Sequence, residues 1–188
     1  MSAKRPKPDV SIVNVVATVK IGQEINLRKI LEKIPQAEYD PRRFPGLVYR
    51  LTNPKTAILV FGSGNMVITG AKAEKDVYRA IQILINTLKS KRIISEAEPE
   101  VKIENVVAAG NLKGEIDLEE AAVSLELTIY EPEEFPGLIY RMDDPKVVVL
   151  LFSSGKIVCT GARGEKYVYI AVEKLQKKLE ELNLIYYY

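Results

Sequence analysis

Two heptapeptides, FPGLVYR at 44–50 and FPGLIYR at 135–141, differ only by Val against Ile and stand 91 positions apart. The offset holds along the chain. IVNVVA at 12–17 answers IENVVA at 103–108, LVFGSG at 59–64 answers LLFSSG at 150–155, and ITGA at 68–71 answers CTGA at 159–162. Residues 12–90 align with 103–181 without a gap, giving 33 identities in 79 pairs. Whatever one half folds into, the other must fold into as well. Two copies are fewer than the roughly three a solenoid needs to bury a continuous core, so a closed pseudo-two-fold pair is expected. The organisation reads as a basic flexible tail at 1–9, repeat one at 10–92, a joint at 93–102, repeat two at 103–182 and a tail at 183–188. The joint is charged and carries Pro99, and it is too short to separate the halves far.

Composition removes most chemistry. Among 188 residues there is no His, so no side chain has an unperturbed pKa near neutrality and every Ser-His, Cys-His or His-metal arrangement is absent. The one phosphate-loop-like string, Phe152-Ser153-Ser154-Gly155-Lys156, lacks the first Gly and the Ser or Thr after Lys. No enzyme, no metal and no cofactor are expected. The single Cys159 cannot form an internal disulfide and aligns with Ile68, which suits a small core hydrophobe. The N-terminal residues MSAKRPKPDV have no apolar run, and no stretch approaches the ~18 apolar residues of a membrane span, so a cytoplasmic protein with no membrane partner is expected.

Residues 10–19 are β-branched and nearly all apolar, which predicts a strand. Asn26 suits the cap of a short helix ended by Pro35, and AEYD at 37–40 predicts a brief strand before a Pro-rich turn. GLVYRLT at 46–52 predicts the next strand, followed by a hairpin of AILVF and MVITG across Gly62-Ser63-Gly64. Val77, Ile81, Leu84 and Leu88, kept as Val168, Val172, Leu175 and Leu179, form the stripe of a long amphipathic helix. The fold class is therefore α+β, with about ten antiparallel strands and four helices. Two long helices can cover only one face of such a sheet.

The strands, however, are apolar on both faces. Ile12, Val16 and Thr18 lie on one side with Asn14, while Ala57, Leu59 and Phe61 share a side, as do Asn65, Val67 and Thr69. An apolar sheet face without a helix over it is an exposed platform, and large exposed apolar patches mark binding sites. Within it one Asn recurs in mid-strand, Asn14 and Asn105, and such an Asn requires a hydrogen-bond partner, either a neighbouring strand or a ligand.

IVNVVATV, FPGLVYR, LVFGSG and ITGAK, each with its partner 91 residues on, resemble the direct repeats of the TATA-box-binding protein family in its archaeal form. The resemblance spans about residues 10–182. It implies a saddle whose concave antiparallel sheet sits on the minor groove of A·T-rich DNA, with the helices on the convex side. The kink and the wedge are properties of that family itself. By this resemblance Phe44 and Phe61, with Phe135 and Phe152, are the intercalating wedges, and these four are all the Phe of the chain. Asn14 and Asn105 would reach the central base pairs, and Val16, Leu59, Val67, Thr69, Val107, Leu150, Val158 and Thr160 would line the groove floor. Such a floor cannot pair with the exocyclic amine of guanine, so A·T is selected by exclusion and deformability. Arg50, Ser63, Lys72, Arg141, Ser154, Lys156 and Arg163 match the phosphate contacts, with Asn65 standing where repeat two has Lys156.

The net charge of +2 conceals a split: +6 over 12–90 and −6 over 103–181. A quasi-symmetric saddle could bind in either direction, and such a dipole lets a partner tell its ends apart. The difference concentrates before the wedge, Asp40-Pro41-Arg42-Arg43 against Glu131-Pro132-Glu133-Glu134. By resemblance, Glu131, Glu133 and Glu134 form the contact for transcription factor B, through which RNA polymerase is recruited. The expected function is that of a general transcription initiation factor on nucleoid DNA, a monomer when bound, whose apolar face also offers a homodimer contact when free. The alternative is a protein-interaction scaffold using the same face without DNA.

Overall fold

A computed structural model describes residues 5–188; the first four residues of the tail expected at 1–9 lie outside the described residues. Repeat one contributes β1 (Asp9–Lys20), α1 (Leu27–Lys33), β2 (Leu47–Thr52), β3 (Lys55–Val60), β4 (Asn65–Ala71) and α2 (Glu74–Ser90). Repeat two contributes β5 (Glu100–Asn111), β6 (Gly114–Ile116), α3 (Leu118–Ser124), β7 (Thr128–Ile129), β8 (Leu138–Asp143), β9 (Lys146–Leu151), β10 (Lys156–Ala162), α4 (Glu165–Glu181) and β11 (Ile185–Tyr187). The expected α+β class is observed, with nine strands in the main antiparallel order and β6 with β11 in a separate two-stranded sheet. No helix among the described residues is long and apolar enough to cross a membrane.

Two compact units emerge, residues 14–104 and residues up to Val13 together with 105–188. In the first, the strand order is β2-β3-β4-β1; in the second it is β5-β10-β9-β8-β7. Both β1 and β5 are divided between the units at their central Asn.

Local chemistry sets the elements. The Asn26 side chain accepts from Lys29 N at 3.2 Å to cap α1, and Asp117 accepts from Glu120 N at 3.0 Å to cap α3, a device worth about 1 kcal/mol each. The α1 helix stops ahead of Pro35, which cannot continue it. The predicted stripe on α2 is buried and wider than its four members, since Ala80 and Ile85 join Val77, Ile81, Leu84 and Leu88. Beneath it Ile58, Val60, Met66 and Ile68 are at most 1% exposed, as are Val15, Ala17 and Val19 of β1. Repeat two packs Val168, Ala171, Val172, Leu175 and Leu179 of α4 in the same way. Cys159 belongs to this core, 1% exposed, and burial pushes its thiol up to about 11.

The short strand expected after the first helix is reduced in both repeats. AEYD forms one bridge, Glu38 with Val48, because the chain turns away at once: Arg43 N and Phe44 N both bond back to Asp40 O. Its repeat-two counterpart is the two-residue β7. The tail at 183–188 packs, pairing as β11 with β6, an edge that the repeat alignment did not reveal.

Removing a buried side chain costs its transfer energy and leaves a cavity. Leu84→Ala, under the fully buried centre of α2, is expected to lower the unfolding free energy by about 2–5 kcal/mol. Leu59→Ala on the other, half-exposed face should cost less than half as much, and urea titration of both variants checks the ratio.

Candidate nucleic-acid interface

Strict alternation divides the sheet. In residues 14–104, the partners of the buried strand residues are half-exposed: Asn14, Val16 and Thr18 on β1, Val67 and Thr69 on β4, Ala57 and Leu59 on β3, Val48 on β2. Register aligns Val48, Leu59, Val67 and Thr18 into one row across the four strands, and Arg50, Ala57 and Thr69 into the next. The other unit repeats the rows as Ile139, Leu150, Val158 and Ala109, then Arg141, Val148 and Thr160. Asn105 and Val107 on β5 complete that face. No helix packs on these side chains, so each unit presents one largely apolar row and a second that ends in an exposed Arg.

Both Asn are held by a β-bulge. Register slips between Val15 and Ala17 opposite β4, and between Cys159 and Ala162 opposite β5. The extra residue is Gly70 at φ +93° and Gly161 at φ +89°, a region that favours glycine. Their freed N–H groups donate to Asn14 Oδ1 at 2.8 Å and Asn105 Oδ1 at 2.7 Å. A backbone N–H can only meet the amide oxygen, so each Asn is fixed with its NH2 as the remaining, donating end. The Thr69 hydroxyl lies 3.4 Å from Asn14 Oδ1, and Asn105 Nδ2 lies 3.4 Å from Thr160 Oγ1. The two readings of the Asn therefore combine: the carbonyl serves the neighbouring strand, and the amine, one hydrogen of which Asn105 gives to Thr160, keeps an N–H to donate.

The Phe residues meet in pairs. Phe44 and Phe61 have ring centroids 5.9 Å apart at 69°, Phe135 and Phe152 5.8 Å apart at 73°, edge-to-face in both. Phe44 is 43% and Phe135 38% exposed, against the burial expected of a core aromatic. Each pair rests on a glycine. A Cβ at Gly46 would stand 2.7 Å from Phe44 Cε1 and 3.1 Å from Phe61 Cε1; at Gly137 the distances are 2.7 Å from Phe135 and 3.0 Å from Phe152. In the sequence these glycines stand only as part of the FPG motif, and their doubled occurrence beside the aromatic is the signal of their role.

The charged candidates line the rim. Arg50, Ser63, Lys72, Arg141, Ser154, Lys156 and Arg163 are all exposed. Ser63 Oγ accepts from Asn65 N and Ser154 Oγ from Lys156 N at 3.3 and 3.4 Å, which sets each hydroxyl at its hairpin tip. In repeat one a groove of about 670 Å³ runs from Arg50 and Lys72 to Lys55, Arg79 and Asp76. Sequence reasoning passed over Lys55 and Arg79 because single surface cations carry no signal. Tyr167 and Ile170 replace Asp76 and Arg79 in repeat two.

The loops before Phe44 and Phe135 share one backbone turn and differ in charge. Asp40 holds Arg42 at 3.2 Å and Arg43 at 3.9 Å. In repeat two, Glu134 N and Phe135 N bond to Glu131 O at 3.0 and 2.9 Å, and Glu131, Glu133 and Glu134 are exposed. The neighbouring Tyr140 phenol is pushed up by burial, then by Glu126 and Asp143. No group of three metal-ligating side chains occurs among the described residues.

The family model described as transcription factor TFIID, or TATA-binding protein, matches residues 9–91 and again 100–182, one match per repeat. The chain belongs to the TATA-box-binding protein family. A TATA-box-binding protein of Pyrobaculum calidifontis is 51% identical over 99% of this chain and 92% of its own length. One from Methanothermobacter thermautotrophicus is 48% identical over 94% of this chain and 98% of its own. The solved structure titled Methanococcus jannaschii TBP superimposes with a TM-score of 0.83 at 46% identity, covering 92% of this chain and 99% of that one. Membership makes the chain a TATA-box-binding transcription factor of the initiation machinery and not an enzyme.

The glycine floor under the Phe pairs is testable in the free protein. Gly137→Ala should push the Phe135 ring off Phe152, changing their ring NMR shifts, while the melting temperature stays within a few degrees because the displaced atom is a side-chain end.

Proposed function

We propose that the chain binds the TATA box through the open sheet face, bends the duplex by inserting Phe44 with Phe61 and Phe135 with Phe152, and nucleates initiation-complex assembly. The observation that carries this reading is the Asn whose carbonyl is taken by a bulge N–H, because it leaves a donor for a groove that offers only the acceptors A N3 and T O2 at A·T pairs. Val16, Leu59, Val67, Thr69, Val107, Leu150, Val158 and Thr160 form the floor on which a guanine amine would be buried without a partner. Unstacking costs a few kcal/mol per step and is offset by the wider apolar contact of a bent groove. Arg50, Lys72, Arg141, Lys156 and Arg163 neutralise phosphates, aided by the Ser63 and Ser154 hydroxyls. The protein works as a monomer on nucleoid DNA in the cytoplasm.

Glu131, Glu133 and Glu134 dock the basic surface of transcription factor B, and through it RNA polymerase. Charge-assisted hydrogen bonds to three carboxylates suit such a partner, and the Arg-bearing loop of repeat one repels it.

Affinity for an A·T-box duplex should exceed that for a G·C-substituted one and fall with salt, log K against log salt sloping by roughly −0.9 for each of the five cations. End-to-end energy transfer reports the bend; equal affinity for both duplexes, or weak salt dependence, returns the face to a protein-interaction scaffold. Asn14→Asp keeps the acceptor for Gly70 N–H but presents oxygen to acceptor base edges, so it should fold normally and lose about 1–3 kcal/mol of A·T-box binding. Replacing Glu131, Glu133 and Glu134 by Lys should abolish the ternary complex and spare binary DNA binding, both read by gel shift; parallel loss of the two overturns the docking assignment.

A further inference from the structure

The hairpins that carry the second wedge and the phosphate hydroxyl are held from behind, and differently in the two repeats. In the unit containing 105–188, β11 pairs with β6 as Ile185 with Ile116, Tyr186 with Glu115 and Tyr187 with Gly114. The layer then reaches three successive carbonyls of the Phe152–Lys156 hairpin. Ile116 N donates to Ser153 O at 2.9 Å, Leu112 N to Gly155 O at 2.8 Å, and the Tyr188 hydroxyl to Ser154 O at 3.3 Å.

The strap is fastened at its far end as well. The Tyr187 hydroxyl donates to Glu180 of α4 and accepts from Gln176 Nε2 at 3.1 Å, while Arg5 pairs with Glu180 at 2.7 Å. Gly114 lets the strap lie flat, since a Cβ there would meet Ile185 Cγ1 at 2.8 Å and Tyr187 Cδ1 at 2.9 Å.

At the offset of 91, Gln23 replaces Gly114 and residues 92–97 replace 183–188. The two segments start alike: Arg92 at φ +58° and Asn183 at φ +54° turn the chain just past the long helix. Repeat one then forms no strand. The Gln23 side chain accepts from Ser95 N at 3.0 Å and donates to Glu96 O at 3.1 Å, both exposed, and Ile25 N reaches Gly62 O at 3.0 Å. In repeat two a strand anchored on α4 through Tyr187 reaches the hairpin through Tyr188. In repeat one the Gln23 side chain, with its rotamer freedom, holds residues 95 and 96, and the hairpin receives only the backbone bond from Ile25 N.

We propose that residues 184–188 are a positioning strap that pre-sets the Phe152–Lys156 hairpin for DNA, so that the repeat-two wedge engages faster than the repeat-one wedge. The proposal rests on the reading that Phe61 and Phe152 enter DNA. It predicts that loosening the strap slows insertion on its own side only.

Hydrogen exchange of the free, full-length protein tests the brace. In a Tyr187→Phe, Tyr188→Phe double variant, amides of 152–156 should exchange several-fold faster with 61–65 unchanged, and Gln23→Ala should leave 152–156 unchanged. The chain contains no Trp, so Phe152→Trp and Phe61→Trp each supply one fluorophore whose quenching on stacking reports insertion by stopped flow. The Tyr double variant should slow quenching several-fold in the Phe152→Trp background and leave it unchanged with Phe61→Trp. Unchanged exchange at 152–156, equal acceleration of both hairpins, or normal quenching despite faster exchange overturns the strap. Absence of quenching in both reporters on A·T-box DNA sinks the wedge reading itself, whereas normal reporter quenching that the Tyr variants leave untouched sinks only the strap.

Discussion

Everything in this structure depends on a sheet whose strands are apolar on both faces and roofed by long helices on one. Burial of Ile58, Ile68, Leu84 and Leu175 and their neighbours provides the folding free energy, at roughly 1.5–3 kcal/mol for each large side chain. Because that side suffices for stability, Val16, Leu59 and Val67 are free to stay half-exposed. The bulges, the Phe pairs and the rim cations are all arranged around that uncovered surface.

Much of this was legible in the sequence, for a physical reason. A gapless repeat samples the same fold twice, so the α2 stripe and the strand periods could each be checked against their copies. The pairing of the Phe was legible through the family resemblance, supported by four Phe falling into two pairs with none left over. What stayed hidden was geometry without side-chain signature. Nothing in the letters ITGA says that Gly70 leaves the ladder and gives its N–H to Asn14, and nothing in FPG says that an aromatic ring lies on the glycine.

The tail was hidden for another reason. Residues 183–188 have almost no identity with 92–97, yet both occupy the place after the long helix where the chain reverses through a left-handed residue. Backbone hydrogen bonds tether that segment in β11, and the Gln23 side chain tethers it in repeat one, so the same attachment is written in unrelated residues. The AEYD strand failed in the opposite direction: its composition suits β structure, but Asp40 collects the turn that aims Phe44 outward. Local propensity yielded there to the turn that leads into Phe44.

The half-exposed rows have a thermodynamic consequence. Water over Val48, Leu59 and Val67 finds few groups to bond, and the Asn oxygens that could have held it are occupied by the bulges. Displacing that water by a ligand surface gives association a negative heat-capacity change, with an entropic drive near 25 °C. Such a contact weakens on cooling, as hydrophobic burial does. The face that contributes least to holding the protein together is thereby the part whose grip depends most on temperature.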